Sequence, residues 1–305
     1  MKYLIIGAGG TGGCMGAYMR EAGKDVTMIA RGAHLAAMQE HGLRMETTKK
    51  GIYTVSPVKA ADMEHYKEQP DVIFVCVKGY SLSETIPFIR RVAKPETVVI
   101  PILNIYGTGG RLQKELPKLL VTDGCIYIAA EIKSPGCLWQ NGDIFRVVFG
   151  VRDPSEYRDV LAEVKKDLDD SGITGILSAD IRRDALMKFS YVSPAAACGQ
   201  YYDVPAGPMQ KPGKIRDTFA ALIKEIDILA KAMGIFFPVD MVQTNLEILD
   251  SLTPEASTSM QRDVKKGGSS EMDGLIFEVV RMGQQYGAEL PVYQKIADEL
   301  KKQGF

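Results

Sequence analysis

Histidine is scarce in this chain of 305 residues: there are three, His34, His41 and His65, and the second half has none. A histidine-rich metal site is therefore not expected, and any acid or base in the second half must be another residue type. Cysteine is sparse and unpatterned. The five residues, at 14, 76, 125, 137 and 198, make an odd count with no Cys-x-x-Cys pair. They read as free thiols of a protein in a reducing cytoplasm. Charge of one sign is also missing. A formal net charge of −1 gives no reason to expect nucleic acid or an anionic membrane surface as a partner. No apolar run approaches the roughly 20 residues of a membrane-spanning helix. The apolar opening is too short for a whole signal peptide, and glycines stand where a cleavage site would lie.

What is present is a globular composition, 46% hydrophobic and 25% charged, over a length that suggests two domains with a core each. The first motif is YLIIGAGGTGGCMGAYM (3–19). Residues 3–6 read as a short buried strand and 10–22 as a helix, with Gly7, Gly9 and Gly12 between them in a Gly-x-Gly-x-x-Gly pattern. In that setting Gly7 allows the tight turn and Gly9 lets a pyrophosphate reach the backbone. Gly12 lets helix and strand pack closely. The helix N-terminus adds free N–H groups and a partial positive charge for the phosphates. A glycine turn without ligand is the plainer alternative, but the strand before and helix after favour a dinucleotide site. The next strand, DVTMIA (25–30), ends at Arg31, where an NAD-specific site would place an acidic residue. Arginine suits a 2′-phosphate, so NADPH is expected over NADH.

Further strands are expected at 72–77 and 97–103, with an amphipathic helix over 81–93 between them. This alternation predicts an α/β fold with a doubly wound parallel sheet of Rossmann type. Residues 121–150 read as two or three strands with Pro-Gly and Asn-Gly turns, an antiparallel extension of that sheet. A helix at 154–172 and a strand at 173–177 follow. From Asp180 the period is helical to the end, with helices near 180–200, 213–233, 238–250, 271–286 and 291–303. The domains expected are therefore 1–178, binding NADP, and 179–305, an all-helical substrate and catalytic domain. Pro194, inside a predicted helix, should kink it.

A nicotinamide enzyme that reduces a carbonyl must protonate the new alkoxide. With no histidine in the helical part, lysine is the next candidate, because a partly desolvated lysine can have its pKa lowered. Lys188, in DALMKFSYV, lies in an apolar helical stretch. Periodicity alone leaves a snorkelling surface lysine as the preferred reading.

The whole chain is similar to the ketopantoate reductase (2-dehydropantoate 2-reductase) family, whose motifs recur in order: GAGGTG (7–12) with Arg31, VCVKGY (75–80), ILNIYG (102–107), ALMKF (185–189) and TSMQRDV…SSEMDGL (258–275). Ser259 and Glu271 stand 12 residues apart, as the family pattern requires. The resemblance implies a cofactor site of Gly7, Ala8, Gly9, Gly10, Thr11, Gly12, Arg31 and Ala130, completed by Lys78, Asn104 and Glu271. It implies that Lys188 is the general acid and that Glu271 orients the substrate hydroxyl or the cofactor and could pair with Lys188. Lys78 and Asn104 would lie at the nicotinamide ribose and the substrate carboxyl group, and Ser259 would bond the carboxylate. Asp263 and Asp273 are expected to be structural, bonding backbone or lysine near the site.

The sequence also departs from the family. Asn104 is followed by Ile105 where the family has glycine, and four family asparagine positions are occupied by Val192, Ala196, Ala206 and Ala256. Fewer amides leave a polar substrate with fewer partners. The expected activity is NADPH-dependent reduction of ketopantoate or a related 2-keto acid, on the pantothenate and coenzyme A route. The alternatives are the same chemistry on a less polar keto substrate, or a non-catalytic NADP(H)-sensing protein. The partner expected is a small 2-keto acid, with a homodimer among the assemblies allowed.

Overall fold

Four successive fully buried residues, Tyr3 to Ile6, mark β1 (Lys2–Ile6) as a central strand, since a parallel strand covered on both faces carries apolar side chains at every position. The structure is a computed structural model describing residues 1–305. It divides into two compact units, Met1–Leu103 with Gly107–Ile181, and Asn104–Tyr106 with Arg182–Phe305.

In the first unit β1 leads through α1 (Gly10–Glu21) to β2 (Asp25–Ile29), and α2 (Gly32–His41) follows. The chain then makes a hairpin of β3 (Leu43–Thr47) and β4 (Gly51–Val55) before β5 (Lys59–Ala61) and β6 (Val72–Val75). Next come α3 (Leu82–Val92), β7 (Val98–Pro101), α4 (Thr108–Glu115) and β8 (Leu120–Val121). Six strands form one all-parallel sheet in the order β5-β2-β1-β6-β7-β8. This is the doubly wound sheet expected.

The strands that follow do not lengthen it. β9 (Asp123–Ser134) and β10 (Cys137–Gly150) pair antiparallel, as their turn residues indicate. Together with β11 (Thr174–Leu177), β3 and β4 they build a second sheet of five strands. β10 runs parallel to β3, with Trp139 opposite Glu46. That pairing joins distant segments and includes a hairpin at 43–55 that the sequence reading missed. Helix α1 is buried continuously from Gly12 to Met19 because it faces both sheets. Gly13 closes on Leu138 of β10, Gly16 closes on Met28 of β2, and the Tyr18 ring meets Phe145 of β10 edge-on at 5.0 Å. The helix expected at 154–172 is shorter, α5 (Val160–Asp170).

The second unit is helical around one core that includes Leu186, Phe189, Phe219, Ile226, Met260, Ile276 and Tyr293. Its helices are α6 (Ile181–Tyr202), α7 (Ala206–Gln210), α8 (Lys214–Ala232), α9 (Met241–Asp250), α10 (Ser259–Lys265), α11 (Glu278–Tyr286) and α12 (Pro291–Lys302). A π-helical turn, Asp273–Phe277, precedes α11. The short α7 and α10 were not expected from periodicity, which needs more than two turns to register. Pro194 lies inside α6 without ending it. Proline removes the N–H that would bond the Ser190 carbonyl. The buried Asn245 amide of α9 donates to that carbonyl instead, at 2.9 Å. Glu225 on α8 accepts the Val292 and Tyr293 N–H groups at 2.7 and 2.8 Å, tying down the first turn of α12. Asn104–Tyr106, expected in the first domain, belong to this unit, because Ile105 sits in the helical core.

Candidate active site

The glycine loop leaves β1 on a tight turn. Gly7 has φ +100, and a Cβ there would come within 3.0 Å of the Cys76 backbone. A Cβ on Gly12 would lie 2.2 Å from the Gly7 carbonyl oxygen and 2.8 Å from Cys76 Cβ, so only glycine lets α1 pack this close to its strands. A Cβ on Gly9 would meet nothing within 4 Å. Gly9 also caps α1 with no side-chain bond. An uncapped helix terminus beside open space fits an anionic group lying against the backbone. Gly10 packs on β9 at Ala130, whose carbonyl oxygen would be 2.6 Å from a Cβ. The two expected cofactor positions, Gly10 and Ala130, are thus neighbours, with Thr11 next to Gly10 in the first turn of α1.

One participant was missed. The Gly136 N–H donates to His34 Nδ1 at 3.0 Å. The ring must then carry its proton on Nε2, which donates to the Ala8 carbonyl at 2.9 Å. His34 on α2 thereby ties the glycine loop to the β9–β10 turn. Half burial lowers its pKa from the ordinary value, with the Ala8 bond acting against this. The signal in the sequence was its place three residues after Arg31, but its partners lie at 8 and 136. Arg31 itself is exposed and stands in extended backbone immediately before α2. Lys78 is half-buried after β6, and its carbonyl accepts the Ser81 N–H at 2.9 Å.

In the helical unit Lys188 is half-buried on α6, flanked by the core residues Leu186 and Phe189. Its Nζ donates to Asn104 Oδ1 at 2.7 Å. Two expected site residues, 84 positions apart, are therefore in direct contact, and the snorkelling alternative does not describe this lysine. The next residues of the Asn104 segment pack into the same unit: Ile105 is buried, and the Tyr106 ring lies 6.0 Å from that of Phe189. Glu271 is 4% exposed, one turn before Leu275, whose N–H donates to the Glu271 carbonyl at 2.9 Å. Burial of a carboxylate to this degree is unusual on a merely solvated face.

Ser259 opens α10, which is capped by Thr258 and Gln261 in a reciprocal pair of bonds. Gln261 Nε2 also donates to the Val204 carbonyl at 2.9 Å, holding α10 to the end of α6. Asp273 bonds Arg281 through both oxygens at 2.9 Å in an exposed pair, not backbone or a lysine. Of the positions where asparagine was missing, Ala196 and Ala206 are fully in the core, and Val192 and Ala256 pack against it. The Ala206 N–H donates to the Ala256 carbonyl at 2.9 Å, so backbone occupies that junction. No group of three or more His, Cys, Asp or Glu side chains is arranged to hold a metal ion, and no helix is long and apolar enough to cross a membrane.

Residues 3–154 match the profile described as "Ketopantoate reductase PanE/ApbA", and residues 180–303 match that of "Ketopantoate reductase PanE/ApbA C terminal". The chain belongs to the ketopantoate reductase family. Membership makes the protein an oxidoreductase by descent and identifies its two units with the two halves of that family. An uncharacterized oxidoreductase of Bacillus subtilis is 26% identical over 307 residues, which cover 99% of this chain and 98% of that protein. The crystal structure of 2-dehydropantoate 2-reductase from Porphyromonas gingivalis superposes with a TM-score of 0.82 at 28% identity, covering 98% of this chain and 99% of the other. A D-mandelate dehydrogenase, described in a ternary structure with NADH and anilino(oxo)acetate, has a TM-score of 0.85 at 21% identity, covering 98% and 96%. The last shares the fold.

Proposed function

We propose that this protein is an NADPH-dependent reductase that converts the keto group of a 2-keto acid to the 2-hydroxy acid. The observation that carries the reading is the 2.7 Å bond from Lys188 Nζ to Asn104 Oδ1. It holds an ammonium group in one direction on a half-buried helix face. The residues of the glycine loop fit a dinucleotide, through the open space at Gly9 and the uncapped terminus of α1. Bound there, the nicotinamide supplies the hydride. Lys188 gives its proton to the carbonyl oxygen as negative charge develops on it, the role of a general acid. Asn104 is a neutral amide, so it orients Nζ without adding a charge of its own. The family resemblance gives Lys78 and Asn104 to the nicotinamide ribose and the substrate carboxyl group, Ser259 to the carboxylate, and Glu271 to a substrate hydroxyl or the cofactor. Arg31, exposed at the start of α2, meets the 2′-phosphate.

For the substrate, a 2-keto acid less polar than ketopantoate is favoured. Val192 and Ala196 continue the Lys188 side of α6 at intervals of four residues, and the Ala206–Ala256 junction is closed by backbone. None of these side chains can bond a substrate hydroxyl, and a pocket that lacks such partners does not reward one. The same fold carries a mandelate dehydrogenase, so the architecture accommodates more than one 2-keto side chain. Steady-state turnover of a panel of 2-keto acids with NADPH tests both levels. The expected result is activity with a kcat/KM for ketopantoate below that for an apolar 2-keto acid. The highest kcat/KM for ketopantoate would overturn the substrate assignment. Tight NADPH binding with no turnover of any acid would support the sensing alternative.

A further inference from the structure

The family places glycine after the asparagine of its Asn-Gly loop, and this chain places Ile105 there. The structure shows where the extra side chain goes. Ile105 is 7% exposed and lies in the helical core, directly over Gly274 in the π-helical turn Asp273–Phe277. A Cβ built on Gly274 would stand 2.3 Å from Ile105 Cδ1, 2.7 Å from Cγ1 and 3.1 Å from Cγ2. Moving the far methyl does not relieve this, because both γ carbons of the branched side chain crowd the position. Gly274 is therefore a socket that only glycine leaves open, and Ile105 fills it.

The socket is bound to the candidate site from three sides. Asn104, the residue before Ile105, receives the Lys188 Nζ bond. Glu271 lies three residues before Gly274, and its carbonyl holds the Leu275 N–H. Ser193, on the same helix as Lys188, donates to the Leu275 carbonyl at 2.6 Å and bonds the buried Tyr293 hydroxyl at 2.6 Å. A π turn breaks the regular ladder of a helix and is often found beside functional groups. Here Ser193 uses one of its carbonyls to fasten it to α6.

We propose that Ile105 and Gly274 are positioning residues: their contact seats Asn104 on the helical unit and thereby aims Lys188. The proposal rests on the reading that Lys188 is the acid, but the seat itself is a separate statement and is measured separately. Gly274→Ala, with its fold checked by melting, forces Ile105 out and moves Asn104. Two quantities are read in the full-length protein: kcat and KM on the best 2-keto acid, and the rate at which an amine-reactive reagent labels Lys188, followed by peptide mass spectrometry. Gly274→Ala is expected to lower kcat by about 10- to 100-fold, the scale of a misplaced catalytic group, with KM for NADPH unchanged and Lys188 labelling altered several-fold. Ile105→Ala in the same chain empties the socket, so the double variant should recover both quantities toward the wild type.

Wild-type kcat and labelling in folded Gly274→Ala would overturn the proposal. So would a loss that Ile105→Ala fails to repair. If Lys188→Met keeps full activity while labelling still responds to Gly274→Ala and recovers in the double variant, the seat stands and the assignment of the acid falls.

Discussion

Six consecutive residues, 7–12, make the glycine loop, and one histidine from the next helix steadies it. The Lys188 cluster instead draws on residues 104–105, 188, 193 and 271–275, from separate stretches of the chain. The two sites differ in what their residues must do. On the proposed reading the backbone of the loop is itself the binding surface, so what matters there is the lack of side chains, as at Gly9, where a Cβ would meet nothing within 4 Å. At the lysine the functional atom is the end of a long flexible side chain. Its aim depends on an amide, and the amide depends on a hydrophobic socket. In the proposal a change in packing at Gly274 reaches Nζ through Ile105 and Asn104.

The largest effect should come from removing the functional atom of the second site. Lys188→Met keeps most of the apolar stem and loses the ammonium. It should lower kcat by about 10²–10⁴-fold, the range for a lost general acid, and leave NADPH affinity unchanged. Steady-state kinetics with calorimetry of cofactor binding separates the two. Wild-type kcat in this variant would make Lys188 a packing residue and erase the contrast drawn above.

A smaller effect is expected at the first site. Arg31→Ala should weaken NADPH binding by about 1.5–3 kcal/mol, the scale of a charge-assisted hydrogen bond, and leave NADH nearly unaffected. Equal losses for both cofactors by calorimetry would mean that Arg31 does not read the 2′-phosphate.

The smallest effect concerns His34 and sharpens the comparison, since it asks how far the loop depends on a side chain at all. Burial lowers the His34 pKa in the folded protein, so below the ordinary imidazole value near 6.5 the unfolded chain binds the proton more readily. His34 therefore contributes its full stability above about pH 6.5, and that contribution declines as pH falls through and below this value. Protonation would also put a hydrogen on Nδ1, against the Gly136 N–H. His34→Gln, which does not titrate, should lack this part of the acid dependence. The expected loss in the wild type is about 1.4 kcal/mol per unit of pKa difference. Melting curves from pH 7.5 to 5.5 on both proteins check it. Parallel curves would show that the His34 bridge does not respond to acid.

The order of helices and parallel strands was legible because burial on both faces and a period near 3.6 are written in neighbouring residues: β1, α1, β2, β6, α3 and β7 all fall where their apolar patterns indicate. The second sheet was not. LRMETTKKGIYTV carries only a half-buried alternation, and its place is decided by β10, some 90 residues later. Asp273 shows the same limit on the scale of one side chain. A bond to backbone or lysine was expected, but its partner is Arg281, eight residues on.

By itself the sequence determined the glycine loop that joins β1 to α1, the arginine after β2, and the absence of histidine from the helical part. These are local or compositional facts, complete within a few residues or by exclusion. Only the tertiary structure decided that Asn104 belongs with the helical unit, that Lys188 meets it, that His34 holds Ala8 to Gly136, and that Ile105 is matched by Gly274. Each of these joins residues far apart in the chain. The reason is steric: whether a bulky side chain after Asn104 is tolerated depends on the space left by a residue 169 positions away, and no pattern along the chain records that space.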